Sequence, residues 1–476
     1  MPRSLVPRIC VVGEGRGIGK SLITTGLVCA LKARGVSVAC CVRGEALTQA
    51  LIYSRVARRY ARCVSGNLLS MESIIETIGE AGIGADLVVI DGHDGLFDGA
   101  SLGDISGSDA EFIRATGTPA IAVIETPDLS TSIMARLRGL TQFGNQPPIQ
   151  GFVLNGLRRD LAGSGALSPS EWEWLGNDFS RDDLPNCVGC VPVLALSGAL
   201  PEPHSLEAVA SAAVPLQLLN ELREAVEAYL DIDAILAAAA LATPLEYQEH
   251  QPVAPFGRCR IAVANDSCFG VCFEDNLDLL RLSGAELVSI SPLADTKLPE
   301  NIGGVYIPGA FLSEYADTLE RNGLFYSALR RFVEAGGALF AEGGGAAFLC
   351  DSFRPNGSER SFRGVGLINR EASGRPEVRS FWDVTLVDDC VLGSLGSSAK
   401  ALNGGGWVSK PLSGTDVSAA EVSALRFSGA GDTEFFEGLS AFPNLLATFS
   451  FIHFGSNPEM ARSFCTAAAG HQGSLV

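Results

Sequence analysis

The stretch that most limits the fold is VVGEGRGIGKSLITTGL, residues 11–27. An apolar strand pattern enters a glycine-rich turn and leaves as an apolar helix pattern. Gly13, Gly15, Gly17 and Gly19 let backbone N–H groups converge on one point, Lys20 brings positive charge for outer phosphates, and Ser21 offers a hydroxyl to Mg²⁺. The spacing departs from the common GxxxxGK form, since Glu14 stands five before Gly19 and the nearest upstream match is Gly13. The alternative is a glycine-rich turn that only packs. A strand, loop and helix in this order belong to a parallel α/β sheet.

A nucleotide held with Mg²⁺ also needs an acidic group at a neighbouring strand end. In LVVIDGHDGLFDG, residues 87–99, Asp91 follows four apolar residues, and Asp94 and Asp98 follow in the loop. Asp-Gly pairs also form turns, so strand-end position favours Asp91 as the ligand. His93 reads as a loop residue.

Apolar strand patterns recur at RICVVG, VSVACCV, ADLVVID, TPAIAVIE, IQGFVLNGL and VGCVPVL, with helical patterns between several of them. This alternation predicts a doubly wound parallel sheet over 1–232. An Ala-rich helix and a polar, proline-containing stretch over 233–256 read as a linker. A second α/β block, 257–476, starts afresh with CRIAVAND, AELVSISPL, GGVYIPGA and GGALFAEGG, and ends near LLATFSFIHF. The Gly/Ser-rich piece at 391–406 reads as loop.

The chain has 476 residues, 35 basic against 54 acidic, for a formal charge of −19. No Lys/Arg stripe exists to track phosphates, which argues against nucleic acid and anionic membrane as partners. The start has too short an apolar run for a secretory segment, and no stretch reaches the roughly 18 apolar residues of a spanning helix. A cytoplasmic protein is the expectation. Thirteen scattered cysteines fit reduced thiols better than a disulfide framework. Cys187 and Cys190 form a CxxC with no second pair, and they, like Cys268 and Cys272, read as core residues.

The series GRGIGKS, IDGHDGLFDG, GSDAEFI, GFVLNGL, LPEPHSLE, RIAVANDSCFGVCFEDNLDLL and HFGSNP resembles, in order and spacing, the cobyrinic acid a,c-diamide synthase family. The resemblance covers nearly the whole chain. It implies a P-loop, dethiobiotin-synthetase-like domain over 1–232, followed by a class I glutamine amidotransferase-like domain over 257–476. It further implies ATP and Mg²⁺ as cofactors, activation of a tetrapyrrole carboxylate as an acyl phosphate, and ammonia released from glutamine by the second domain. By resemblance, Gly17, Gly19 and Lys20 hold phosphates, with Lys20 catalytic; Ser21 and Asp91 hold Mg²⁺; and Asn155 holds the adenine edge. The family usually has Glu at Asp91.

Two regions depart from the family. In VRGEALTQA, Arg43 replaces a lysine, Glu45 a proline and Ala46 a metal- and substrate-holding aspartate; in GNLLS, Asn67 and Leu68 match but Leu69 replaces an aspartate. Arg43 and Asn67 remain as substrate candidates. In the second block, Ala-Glu-Cys-Gly-Gly reads here as Ala341-Glu342-Gly343-Gly344-Gly345, and Phe451 falls at the histidine base, with His453 at a second histidine. The oxyanion segment is reduced to PGAFLSE and a neighbouring motif to NGGGWVS. A class I glutaminase needs a thiolate and a base, so the resemblance implies that glutamine hydrolysis is absent. Cys350 lies about two helical turns past the corner, too far to take over.

Three functions stay open. One is an amidoligase for a tetrapyrrole or other polycarboxylate, using free ammonia or ammonia from a separate subunit. Another is a non-catalytic paralogue that binds nucleotide or tetrapyrrole as a subunit or carrier. The third is a P-loop ATPase or ligase of changed substrate. A family-related subunit and a second copy of the chain are candidate partners.

Overall fold

The computed structural model describes residues 3–4, 6–44, 46–99, 102–127, 130–144, 146–157, 184–196, 215–247, 259–376, 380–403, 406–412, 422–429 and 433–474. Glu45 and the LPEPHSLE segment lie outside them. The chain forms two compact units, one of residues 1–201 with 212–249 and one of 250–476 with 202–211.

In the first unit the elements are β1 Arg8–Gly13, α1 Lys20–Ala33, β2 Val38–Arg43, α2 Leu47–Ala57, β3 Arg62–Val64, α3 Met71–Gly82 and β4 Leu87–Asp91. They continue with α4 Asp109–Ala115, β5 Ala120–Glu125, α5 Ser132–Gln142, β6 Ile149–Leu157, β7 Asn186–Pro192, α6 Leu216–Tyr229 and α7 Ile232–Ala239. The strands form one parallel sheet in the order β3-β2-β4-β1-β5-β6-β7. Near-continuous apolar strands such as β1 and β2 are buried along their full length, as a sheet covered on both faces requires. β1 lies between β4 and β5, where the strand order reverses, and ligands of such sheets bind at that crevice.

Residues 233–247, read from the sequence as linker, are structured parts of this unit. Asp231 caps α7 through the N–H of Ala234, and its own N–H donates to Val188 O at 2.7 Å. Ile232, Ile235, Ala238 and Ala239 are buried. Beyond α7, Leu245–Glu246 pairs antiparallel with Arg3–Ser4.

The second unit begins with β8 Cys259–Ala264, α8 Glu274–Leu282, β9 Ala285–Ile290, β10 Gly304–Ile307, α9 Leu312–Arg321, α10 Gly323–Glu334, β11 Ala338–Glu342 and α11 Gly344–Leu349. Ten further strands follow: β12 Cys350–Arg354, β13 Phe362–Arg363, β14 Ile368–Gly374, β15 Ser380–Leu386, β16 Ser398–Asn403, β17 Trp407–Pro411, β18 Val422–Ser428, β19 Glu434–Ser440, β20 Leu445–Thr448 and β21 Phe451–His453, before α12 Glu459–Ser474. The main sheet runs β9-β8-β10-β11-β20-β19-β18-β15-β16-β21, parallel from β9 to β20 and antiparallel beyond. A smaller sheet runs β13-β12-β14-β17. Strand alternation sorts Val305, Ile307, Leu339 and Ala341 into one apolar cluster and Tyr306, Ala338 and Phe340 into another, so apolar packing covers both faces. Residues 398–403 of the expected loop form β16, because an alternating buried pattern pairs them with β15.

Candidate functional site

The loop after β1 places the expected residues together. Gly17 and Gly19 have φ of 75° and 92°, a region that costs glycine little. At Gly19 a Cβ would stand 2.3 Å from Asn155 Nδ2, so the close approach of Asn155 needs glycine there. Asn155 Nδ2 donates to Ile18 O at 2.8 Å, bracing the loop from the end of β6. Gly13 is equally confined, with Ile18 Cδ1 at 2.3 Å from its would-be Cβ, whereas Gly15 has open space. Glu14 is turned away from the loop: it accepts from Glu125 N at 2.9 Å and pairs with Arg136 of α5. The carboxylate thereby leaves the concave face of the loop without a negative side chain at that position.

Lys20 Nζ donates to Gly15 O at 2.6 Å and Asp94 O at 2.7 Å. Burial lowers its pKa, against the pull of Asp109, Asp91, Asp94 and Asp98. Asp91 ends β4 and accepts from Ser21 Oγ at 2.8 Å, Thr24 Oγ1 at 3.0 Å and Tyr53 OH at 2.7 Å. Burial pushes its carboxyl up; the hydroxyls of Tyr53, Ser21 and Thr24 and the charge of Lys20 pull down. Thr24 follows Ser21 by three positions on one helix face, a spacing readable in sequence. Tyr53 gave no local signal. Asp94 pairs with Arg16 and lies 3.6 Å from His93 Nε2. Asp98 accepts from Gly95 N at 2.9 Å, as a turn residue does.

Beside Asn155, a cavity of about 160 Å³ is lined by apolar residues that include Leu22, Val191, Pro192, Leu194 and Val226.

Of the substrate candidates, Arg43 adjoins this cluster, since its neighbour Val42 pairs with Asp91. Arg43 is buried, 4% exposed, with its guanidinium bonded to Asp109 Oδ1 at 3.1 Å, Val64 O at 2.9 Å and Gly107 O at 2.8 Å, and stacked over Phe112. Those bonds make it an internal brace. Asp109, within the GSDAEFI segment, also accepts from His93 N at 2.8 Å, and so ties the Asp91 loop to β2. Asn67 is exposed, and its N–H donates to Ser65 Oγ at 3.2 Å. Ala46 and Leu69 are buried.

In the second unit, the corner between β11 and α11 keeps an elbow shape. Gly343 has φ 52° and ψ −126°, strained for any residue with a side chain. A Cβ there would stand 2.7 Å from Phe451 Cζ, so positions 343 and 451 face each other and the ring fills the space. Beneath, Glu342 is buried, accepting from Ile452 N at 2.8 Å and from the Tyr306 hydroxyl. Burial pushes its pKa up to about 8. His453 is buried too; its Nδ1 accepts from Gly455 N at 3.0 Å, and its ring packs on Phe273 at 4.4 Å. Cys350 is buried, with Sγ on Ala346 O at 3.7 Å, and Cys268 sits in the core. Among the described residues no group of three or more His, Cys, Asp or Glu could hold a metal ion, and no helix is long and apolar enough to cross a membrane.

Residues 260–381 match the CobB/CobQ-like glutamine amidotransferase domain. The cobyrinate a,c-diamide synthase of Leptospira interrogans serovar Lai is 28% identical over 467 residues, covering 96% of this chain and 98% of the relative. That of Syntrophotalea carbinolica is 27% identical over 484 residues, covering 98% of this chain and 99% of the relative. Among solved structures, PurLQS from Thermotoga maritima aligns with 44% of this chain and 99% of its own, at 14% identity and a TM-score of 0.33. By sequence the chain is similar over nearly its whole length to proteins named cobyrinate a,c-diamide synthase, and its residues 260–381 match a CobB/CobQ-like glutamine amidotransferase domain.

Proposed function

We propose that the chain is an ATP-dependent amidoligase that turns carboxylates of a corrinoid or sirohydrochlorin-type tetrapyrrole into amides, using ammonia its own second unit does not release. The relatives' names support the substrate class. The observation that carries the ammonia assignment is the Phe451 ring packed where a side chain at Gly343 would begin. With no thiol at 343 and no imidazole at 451, the corner can neither attack an amide nor move its proton.

Mg·ATP fits the first unit. Ser21 Oγ and the Asp91 carboxylate, 2.8 Å apart at the loop base, are the hard oxygen donors that Mg²⁺ takes alongside phosphates. When bound, Mg·ATP supplies the phosphoryl group that activates a carboxylate. The chain's own part is binding and charge. Backbone N–H groups of the loop hold phosphate oxygens, and Lys20 leaves its two carbonyl partners to stabilise negative charge at the outer phosphates. Asn155 keeps the loop closed, and the apolar cavity beside it suits a nucleotide base.

A second reading, a non-catalytic carrier of nucleotide or tetrapyrrole, draws on the burial of Arg43 and on the apolar residues Ala46 and Leu69, which offer no carboxylate to orient a substrate. One experiment separates the readings: purified protein with Mg·ATP and cobyrinic acid or sirohydrochlorin, with ammonium in one arm and glutamine in the other, followed by mass spectrometry. Amide in the ammonium arm alone is expected. Amide formed from glutamine would overturn the ammonia assignment, and tight tetrapyrrole binding without amide in either arm would establish the carrier.

A further inference from the structure

The CxxC of β7 has a geometry its sequence context hides. On a regular strand, residues three apart face opposite sides. Here Phe152 pairs with Cys187, Val153 with Gly189 and Leu154 with Cys190, so three steps of β7 match two of β6 and one residue is extra. This is a bulge. It turns both cysteines to one face and shortens their separation to two strand steps, roughly 6.6 Å at about 3.3 Å each. That spacing lies within the Cα range a disulfide spans. The two sulfurs stand 3.6 Å apart, and Cys187 Sγ also contacts Gly189 O at 3.4 Å. β7 is the edge strand of its sheet; Cys187 is half-buried and Cys190 buried.

We propose that Cys187 and Cys190 form a reversible dithiol–disulfide pair, oxidised by a low-molecular-weight disulfide, whose state sets the shape of the apolar cavity beside Asn155. Cys187 is the first thiol to react, being the more accessible. Its hydrogen bond with Cys190 lowers its pKa, which favours the thiolate. The Cys187 thiolate attacks one sulfur of the oxidant, forming a mixed disulfide and expelling one thiolate. Cys190, deprotonated in turn, attacks Cys187 Sγ and expels the second. One S–S bond breaks and one forms; the chain loses two electrons, and its two thiol protons end on the two expelled thiols. Closing the sulfurs from 3.6 Å to about 2.05 Å draws Cys190 toward Cys187. Val191, Pro192, Val193 and Leu194 follow Cys190 directly and line the cavity, so the movement reaches it through the backbone.

The test equilibrates the full chain in glutathione buffers of varied ratio, blocks remaining thiols, and maps cysteines by mass spectrometry. A 187–190 disulfide is expected in oxidising buffer, lost on adding dithiothreitol. Both thiols alkylated at every ratio, or glutathione left on them without a link, would overturn the pair. Amide hydrogen exchange at 191–196 should differ severalfold between the two states of the wild type and not respond to buffer in Cys187→Ser or Cys190→Ser. Identical exchange in linked and reduced protein would overturn the coupling to the cavity. The wild-type map decides the pair even if a variant fails to fold, and no readout needs a nucleotide to bind.

Discussion

Lys20 rests on two backbone carbonyls, a position from which it can swing to an anion without breaking an ion pair to a side chain. Hydrogen bonds to a charged group contribute about 1.5–3 kcal/mol, so Lys20→Ala should weaken Mg·ATP binding roughly 10- to 100-fold and abolish turnover. Calorimetric titration checks this, and unchanged affinity would remove the loop from the function. Gly343 carries the opposite expectation. A side chain there meets Phe451 at 2.7 Å and adopts φ 52°. Overpacking costs about 1–3 kcal/mol and a strained φ about 1–3 more, so Gly343→Cys should lower stability by roughly 2–6 kcal/mol. It should release no glutamate from glutamine. A wild-type urea midpoint in this variant would show that Phe451 yields freely. The loop residues were legible because their chemistry is local: glycines, lysine and hydroxyl follow one another within nine positions, 13–21. Tyr53 on Asp91, Arg136 on Glu14 and Asp109 on Arg43 were not, since each partner comes from a distant element. Arg43 became a substrate candidate only through a resemblance to a family lysine, and no local pattern announced that Phe112 and Asp109 hold it inside.

At the scale of elements, α7 and the segment after it show how a boundary read from composition can miss. Ala-rich sequence looked like a spacer, yet its Ile and Ala residues at 232, 235, 238 and 239 are buried. The following turn is sewn to β1 by Arg8, which donates to Thr243 O at 2.5 Å and Thr116 O at 2.6 Å while only 1% exposed. A chain ending at residue 232 should therefore aggregate, having lost the helix and left the Arg8 guanidinium short of one acceptor. A chain ending at 249 should stay monodisperse with a cooperative melt. Gel filtration and circular dichroism distinguish them, and two equally well-behaved products would make 233–249 a true linker. Parallel strands such as β1, β5 and β11 were readable as solid apolar runs. The antiparallel strands β15 to β19 were not, because at least one charged residue interrupts each of them and only pairing with neighbours reveals the alternation.

For the molecule as a whole, nucleotide and pH should act on different residues. Ligand binding stabilises by RT ln(1 + [L]/Kd), and the contacts proposed for Mg·ATP lie at 13–21 and 91–94. Proton linkage in the second unit centres on Glu342, whose pKa rises from an ordinary 4.5 to about 8 because it is buried. Burial raises Glu437 in the same direction. A raised carboxyl pKa means the folded chain holds the proton more tightly than the unfolded one. The stabilisation is full below about pH 4.5, declines as pH rises toward about 8, and changes no further above that. Glu342→Gln replaces the protonated carboxyl with a neutral group of the same shape, which can accept from Ile452 N and donate to the Tyr306 oxygen. The variant should match the wild type near pH 5 and become the more stable protein toward pH 8. Slowed hydrogen exchange at 338–343 and 451–453 should report the difference, while Mg·ATP protects 13–21 equally in both proteins. A wild type whose advantage over Glu342→Gln grew with pH would mean that the carboxylate is ionised in the fold, and would reverse the assignment of that corner as a neutral, proton-bearing core.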